Sequence, residues 1–142
     1  MHHSRKSEII LALCMVMVGI FSAFILFKTF RPSKGLPYEQ LTMEQAVRYM
    51  TYEGKGAYTL LDVSTEQQFE EQHIPGAVNI PVDRLVGEAA ERFPDPEQLI
   101  YVCSAKGEDS RSAALKLCQL GYTNITEIGC SADYFALPEP LT

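Results

Sequence analysis

The sequence predicts an α/β fold, a parallel sheet with helices on both faces, preceded by one transmembrane helix. Three observations predict it. Short apolar runs of strand type alternate with amphipathic runs of helical spacing between residues 38 and 128, the pattern of successive βα units. One of these runs, Leu99-Ile100-Tyr101-Val102, leads directly into Cys103, and a polar segment and then a helical run follow it. Ahead of all this, residues 9–27 form an uncharged apolar stretch of nineteen residues.

As a helix that stretch spans roughly 28 Å, close to the ~30 Å hydrocarbon core of a bilayer. Basic residues flank it on both sides, Arg5 and Lys6 before it and Lys28, Arg31 and Lys34 after it. A cleaved signal peptide fits less well. The run is too long for such a signal, and Phe21-Ser22-Ala23 is a poor cleavage site. A lipoprotein signal through Leu11-Ala12-Leu13-Cys14 is also weak, because Leu13 is bulky where a small residue is wanted. The charge rule is nearly balanced. A short amino-terminal tail that stays inside places the rest outside, so the expectation is a single-pass cell-membrane protein with an extracytoplasmic globular part. Residues 31–37 carry two prolines and a glycine and form an extended linker. The expected organisation is 1–34 as anchor and linker, and 35–142 as the folded domain.

Charge divides the same way. Residues 1–34 hold five Lys/Arg and one acid, whereas the remainder holds seven basic and seventeen acidic residues. An acidic domain argues against nucleic acid as a partner, since phosphate binding needs a basic face. Cys14, Cys103, Cys118 and Cys130 include no CxxC pair and no histidine at ligand spacing, so neither a metal site nor a disulfide framework is expected.

The elements follow in order. Residues 38–41 read as a short first strand. Thr42 is a good helix N-cap with Gln45 at the capping-box position, and Ala46, Val47 and Met50 give that helix its apolar face. Glu53-Gly54-Lys55-Gly56 breaks the chain before a buried-type strand at residues 58–63. Ser64-Thr65 then caps a short helix over residues 66–71. Residues 78–80 are a brief strand, and residues 82–92 an amphipathic helix with Leu85, Val86 and Ala89 inward. Residues 99–102 form the next strand. Ser110 opens the following helix, in which Ala113, Ala114, Leu117 and Leu120 recur at helical spacing, and Gly121 closes it. Residues 125–128 form the last strand.

Ligand sites in parallel sheets lie beyond the carboxyl ends of the strands. There the segment Ser104, Ala105, Lys106, Gly107, Glu108, Asp109 is expected as a loop with inward N–H groups, followed by a helix amino terminus. A cysteine so placed should have a lowered pKa and react as thiolate. Cys103 is therefore the candidate catalytic residue, with residues 104–110 and Arg111 as its substrate-binding loop.

The residues carry a family resemblance. Leu60-Leu61-Asp62-Val63, Phe69 and the run His73-Ile74-Pro75-Gly76-Ala77-Val78-Asn79-Ile80-Pro81 resemble the amino-terminal signature of rhodanese-like domains. Tyr101-Val102-Cys103 with its loop, Ala113-Ala114, and Gly121-Tyr122-Thr123-Asn124-Ile125 resemble the active-site half. The resemblance covers residues 38–135. It implies a sulfurtransferase in which Cys103 takes sulfane sulfur from a small donor such as thiosulfate, holds it as a persulfide, and passes it to a thiol or cyanide-like acceptor. It implies no metal or organic cofactor.

Two departures stand out. Members of the family commonly carry Cys-x-x-Gly-x-Arg followed by Ser, whereas here seven residues separate Cys103 from Arg111. Matching Arg111-Ser112 to Arg-Ser inserts three residues. Matching Gly107-Glu108-Asp109-Ser110 inserts one and puts Asp109 where the arginine stands. Glu108 and Asp109 oppose a low thiol pKa, with Lys106 and Arg111 as compensating charges. Ser64 also stands where an arginine is usual. The alternative reading is a catalytically weak or inactive binding or sulfur-carrier module at the membrane, with a membrane-proximal protein partner. A third is a phosphatase or arsenate reductase, which needs a loop-end arginine on its oxyanion. His73, Asp62 and Cys118 read as structural. Cys130 replaces the second glycine of the family's Gly-Gly after the last strand. It is a candidate resolving thiol for Cys103.

Overall fold

The computed structural model describes residues 35–138. The expected membrane segment, residues 9–27, lies outside the described residues, as does the linker up to Lys34. Among the described residues no helix is long and apolar enough to cross a membrane.

The strands are β1 (Glu39–Gln40), β2 (Thr59–Asp62), β3 (Val78–Asn79), β4 (Ile100–Ser104) and β5 (Ile125–Cys130). They pair in parallel in the order β1-β5-β4-β2-β3. The helices between and after them are α1 (Met43–Glu53), α2 (Glu66–Glu71), α3 (Leu85–Arg92), α4 (Gly107–Gln119) and α5 (Ser131–Phe135). The βα alternation thus yields the expected parallel sheet.

Helices cover both faces, and strand alternation decides which residues each face receives. Along β4, Ile100 and Val102 join Leu85 and Ala89 of α3 and Ala113, Ala114 and Leu117 of α4 in one apolar cluster. Tyr101 and Cys103 point the other way, among Met43, Ala46, Val47 and Met50 of α1 and Tyr134 of α5. The predicted capping box of Thr42 with Gln45 forms on α1, and Thr65 caps α2 as expected, in a second box with Gln68. Gly121, at φ 98, ends α4 in the left-handed turn that glycine adopts without strain. The Tyr122 N–H then returns to the Leu117 carbonyl at 3.1 Å, and its hydroxyl donates to the Phe93 carbonyl at 2.6 Å.

Several boundaries differ from expectation. Helix α3 starts at Leu85 rather than residue 82, and Val86 points to solvent, so its inward face is Leu85 and Ala89 alone. Strand β5 continues through Gly129 and Cys130 instead of stopping at 128. Most consequential, β4 runs on through Cys103 and Ser104, and α4 begins at Gly107 rather than Ser110.

Candidate functional site

The extra turn of α4 is held by contacts at its start. Glu108 and Asp109 occupy its first turn, where carboxylates favour the positive end of the helix dipole. The Asp109 N–H bonds the Lys106 carbonyl at 3.0 Å. The Ser104 hydroxyl stands in for an N-cap, accepting the Ser110 N–H at 3.2 Å and donating to the Lys106 carbonyl. The expected six-residue loop, 104–109, is therefore reduced to Ala105 and Lys106. Ser110 is not the opening residue of the helix but a buried member of its first turn.

Cys103 lies beneath this turn, with none of its surface exposed. Its register partner on β2 is Asp62, and paired residues of parallel strands project to the same face. Asp62 is also fully buried. Its Oδ1 accepts from the backbone N–H of Ser64 at 2.9 Å and from the Ser64 hydroxyl at 2.5 Å. Its Oδ2 is buried without a hydrogen-bond partner. Burial, the Asp62 charge and Cys130 push the Cys103 thiol well above its ordinary value. This corrects the expectation of a lowered pKa.

Ser64 fastens the loop. Its hydroxyl, donating to Asp62, accepts the Ala105 N–H at 2.8 Å. Asn79 holds the same corner by donating to the carbonyls of Asp62 and Ser64, each at 2.9 Å. A serine where the family usually has an arginine thus ties the end of β2 to the residue two beyond Cys103.

Glu127 is the residue that sequence reading missed. It is buried in β5. Its Oε1 accepts from the Ser110 hydroxyl at 2.6 Å and from the Gly129 N–H at 2.9 Å, and its Oε2 from Gln40 Nε2 at 3.1 Å. It thereby joins α4, β5 and β1 behind the cysteine. The available signal was an acid inside an otherwise strand-like run, Ile125-Thr126-Glu127-Ile128.

The charged loop residues are less involved. Lys106, Glu108 and Arg111 are exposed, and Asp109 is half-buried. Arg111 lies close enough to Tyr38 to oppose the rise that burial gives that phenol, so it is directed at the first-strand side of the helix. Cys130 is half-buried, and its thiol donates to the Ala105 carbonyl at 3.0 Å. His73 is structural, as its turn motif suggests. Its ring stacks on Phe69 at 3.9 Å and its Nδ1 lies 2.8 Å from the Phe69 carbonyl. Cys118 packs half-buried beside the first apolar cluster.

A cleft lies elsewhere. About 550 Å³ opens at the amino end of β2, among Met50, Lys55, Tyr58, Thr59, Pro75 and Gly76. It holds neither Cys103 nor any other residue of the polar corner.

With the geometry in hand, comparison with known proteins is direct. The model of the rhodanese-like domain family matches residues 46–131. The thiosulfate sulfurtransferase PspE of Escherichia coli is 30% identical over 79 residues, which are 56% of this chain and 75% of that protein. The adenylyltransferase and sulfurtransferase UBA4 of Meyerozyma guilliermondii is 33% identical over 101 residues, 65% of this chain and only 24% of that protein. Among solved structures, a rhodanese-like domain of the Alr3790 protein from Anabaena sp superposes with a TM-score of 0.54 at 30% identity, covering 59% of this chain and 97% of that one. The chain belongs to the rhodanese-like domain family.

Proposed function

We propose that this rhodanese-like protein is a sulfurtransferase in which Cys103 carries sulfane sulfur as a persulfide. One observation carries the reading: within the span matched to the family, Cys103 stands at the carboxyl end of β4, next to its last residue Ser104 and four residues before α4 begins at Gly107. The named sulfurtransferase activities of PspE and UBA4 support it. The thiolate of Cys103 attacks the outer sulfur of a donor such as thiosulfate. The S–S bond of the donor breaks, sulfite leaves with the electron pair, and the persulfide remains on Cys103. A thiol or cyanide then attacks that outer sulfur and restores the cysteine thiolate. The Asp109 and Ser110 N–H groups of α4 are taken by the Lys106 carbonyl and the Ser104 hydroxyl, so stabilising developing negative charge falls to the first two N–H groups of the helix, those of Gly107 and Glu108. Because Cys103 is fully covered, a donor reaches it only when Ala105 and Lys106 lift, and the raised thiol pKa makes charging faster as pH rises. Residues 9–27 would tether this chemistry to a membrane, where a sulfur donor, an acceptor or a protein partner is met.

Intact-mass measurement after incubation with thiosulfate tests this. One added sulfur on Cys103, removed by cyanide, is expected. Absence of the gain, while Cys103 can be alkylated, overturns thiosulfate as donor. A thiol that neither charges nor alkylates establishes the second reading, a weak or inactive binding module, which the buried, protonated thiol specifically favours. The phosphatase or arsenate reductase reading lacks its oxyanion clamp, since Asp109 stands at the helix start and Arg111 is directed elsewhere.

A further inference from the structure

Cys130 is a second half-buried thiol, bonded to the loop next to Cys103. It is the last residue of β5, and its register partner on β4 is Ser104, the neighbour of Cys103. The register shifts between Val102 and Ser104: Val102 pairs with Glu127, two residues on β4 thus matching three on β5. Such a bulge re-aims the side chains beyond it. Gly129, at φ 83, sits within it, in a conformation that only glycine adopts readily. The result is that the Cys130 thiol meets the loop over Cys103, at 3.0 Å from the Ala105 carbonyl. Neighbouring strands lie about 4.8 Å apart and successive residues about 3.3 Å along a strand. Cys130 thus stands one residue out of register from Cys103 across neighbouring strands, where regular spacing gives Cα separations of the order that disulfides span, and it is near enough to act electrostatically on the Cys103 thiol. Both are free thiols.

We propose that Cys130 is the resolving thiol of Cys103 and gives the protein a second activity, release of hydrosulfide from the Cys103 persulfide. This rests on the sulfurtransferase reading above. The Cys130 thiol gives its proton to solvent, and its thiolate attacks Sγ of the persulfidated Cys103. A Cys103–Cys130 disulfide forms, the bond between Sγ and the outer sulfur breaks, and the outer sulfur leaves with the electron pair as hydrosulfide. The sulfane sulfur is reduced by two electrons, and the two cysteine sulfurs are each oxidised by one. An external dithiol then reduces the disulfide, becoming oxidised itself. Ser104 and Ala105 hold the two thiols on one short segment, so resolution is intramolecular and competes with any free acceptor. Cys118, on the far flank of α4, takes no part.

The test uses the full chain charged separately with thiosulfate and with inorganic polysulfide, desalted and left without acceptor. Free sulfide and intact mass are followed together. The expected result is one sulfide per charged Cys103 and a Cys103–Cys130 disulfide in the peptide map. Cys130→Ser should hold the added sulfur at Cys103, release at least tenfold less sulfide, and still yield thiocyanate with cyanide. Cys118→Ser should behave as the parent. Sulfide release unchanged in Cys130→Ser, or a charged parent that forms no disulfide, overturns the resolving role and leaves sulfur transfer standing. A chain that neither donor charges overturns both, and the unchanged mass distinguishes that failure from the first.

Discussion

The two ends of the sheet contrast. At the amino end of β2 a cleft of about 550 Å³ stands open between α1 and the turn before β3, lined by ordinary side chains and loop backbone. At the carboxyl end there is almost no space. Asp62, Ser64, Ser104, Ser110 and Glu127 are all buried there around Cys103, and nearly every polar atom among them is hydrogen-bonded. The cleft holds none of the buried polar residues that gather around Cys103. The polar corner is marked by its cost: five buried polar side chains are kept only where their hydrogen bonds are satisfied, and the one orphan, Asp62 Oδ2, lies on the strand beside the cysteine.

The largest effect that separates the ends is on activity. Cys103→Ser should lower sulfur transfer by about a thousandfold or more, because a serine hydroxyl is a far weaker nucleophile at neutral pH. Lys55→Ala, in the cleft, should leave the rate within about twofold. Thiocyanate formation checks both, and a large loss in the second variant would move the site to the open end.

Stability should discriminate next. Glu127→Ala leaves the Ser110 hydroxyl and the Gly129 N–H without their acceptor, at a cost of about 2–3 kcal/mol. Glu127→Gln keeps an acceptor oxygen and should cost less. Urea midpoints at constant slope measure the difference.

Protonation sharpens the contrast further. Burial, Asp62 and Cys130 hold the Cys103 thiol above its ordinary value of 9.0. Its alkylation should therefore be slow at pH 7 and quicken with pH. Asp62→Asn removes the neighbouring charge and should speed alkylation at pH 7 several-fold; a slower reaction would show that the carboxylate assists the thiolate instead. Linkage fixes the sign for folding. The folded state holds this proton more tightly than the unfolded one, so the stabilisation is complete below pH 9 and is lost as pH rises above it. Tyr101, raised by burial and by Glu53, adds to that alkaline loss above pH 10. Denaturation midpoints between pH 8 and 11 should fall, and less steeply for Cys103→Ala.

The smallest effect is conformational. Gly129→Ala has open space for its methyl group but must hold φ 83. A cost of about 1 kcal/mol is expected. Because the bulge orients Cys130, disulfide formation in the charged protein should slow in the same variant.

Much of this was legible in the chain. Thr42 with Gln45 and Thr65 announced their helices because a capping box is a contact within four residues. Met50, Leu61, Val102 and Leu117 announced burial through period. Asp62 and His73 read as structural, and the bonds from Ser64 to the Asp62 carboxylate and between His73 and the Phe69 carbonyl are local ones. The start of α4 was misplaced because Gly107-Glu108-Asp109 has the composition of a loop. What extends the helix is Ser104 reaching forward six residues, with Glu127 holding Ser110 from another strand.

By itself, then, the sequence determined the order of strands and helices, the apolar faces, the family and the cysteine at the carboxyl end of the strand before the loop. These depend on local preference and periodicity, which each segment carries with it. The tertiary structure decided the protonation of that cysteine, the tie from Ser64 to Ala105, the place of Glu127 and the approach of Cys130. Each of these depends on which residues neighbouring strands bring side by side, and on how thoroughly water is excluded between them. Asp62 is forty-one positions from Cys103 in the sequence and its partner across the sheet.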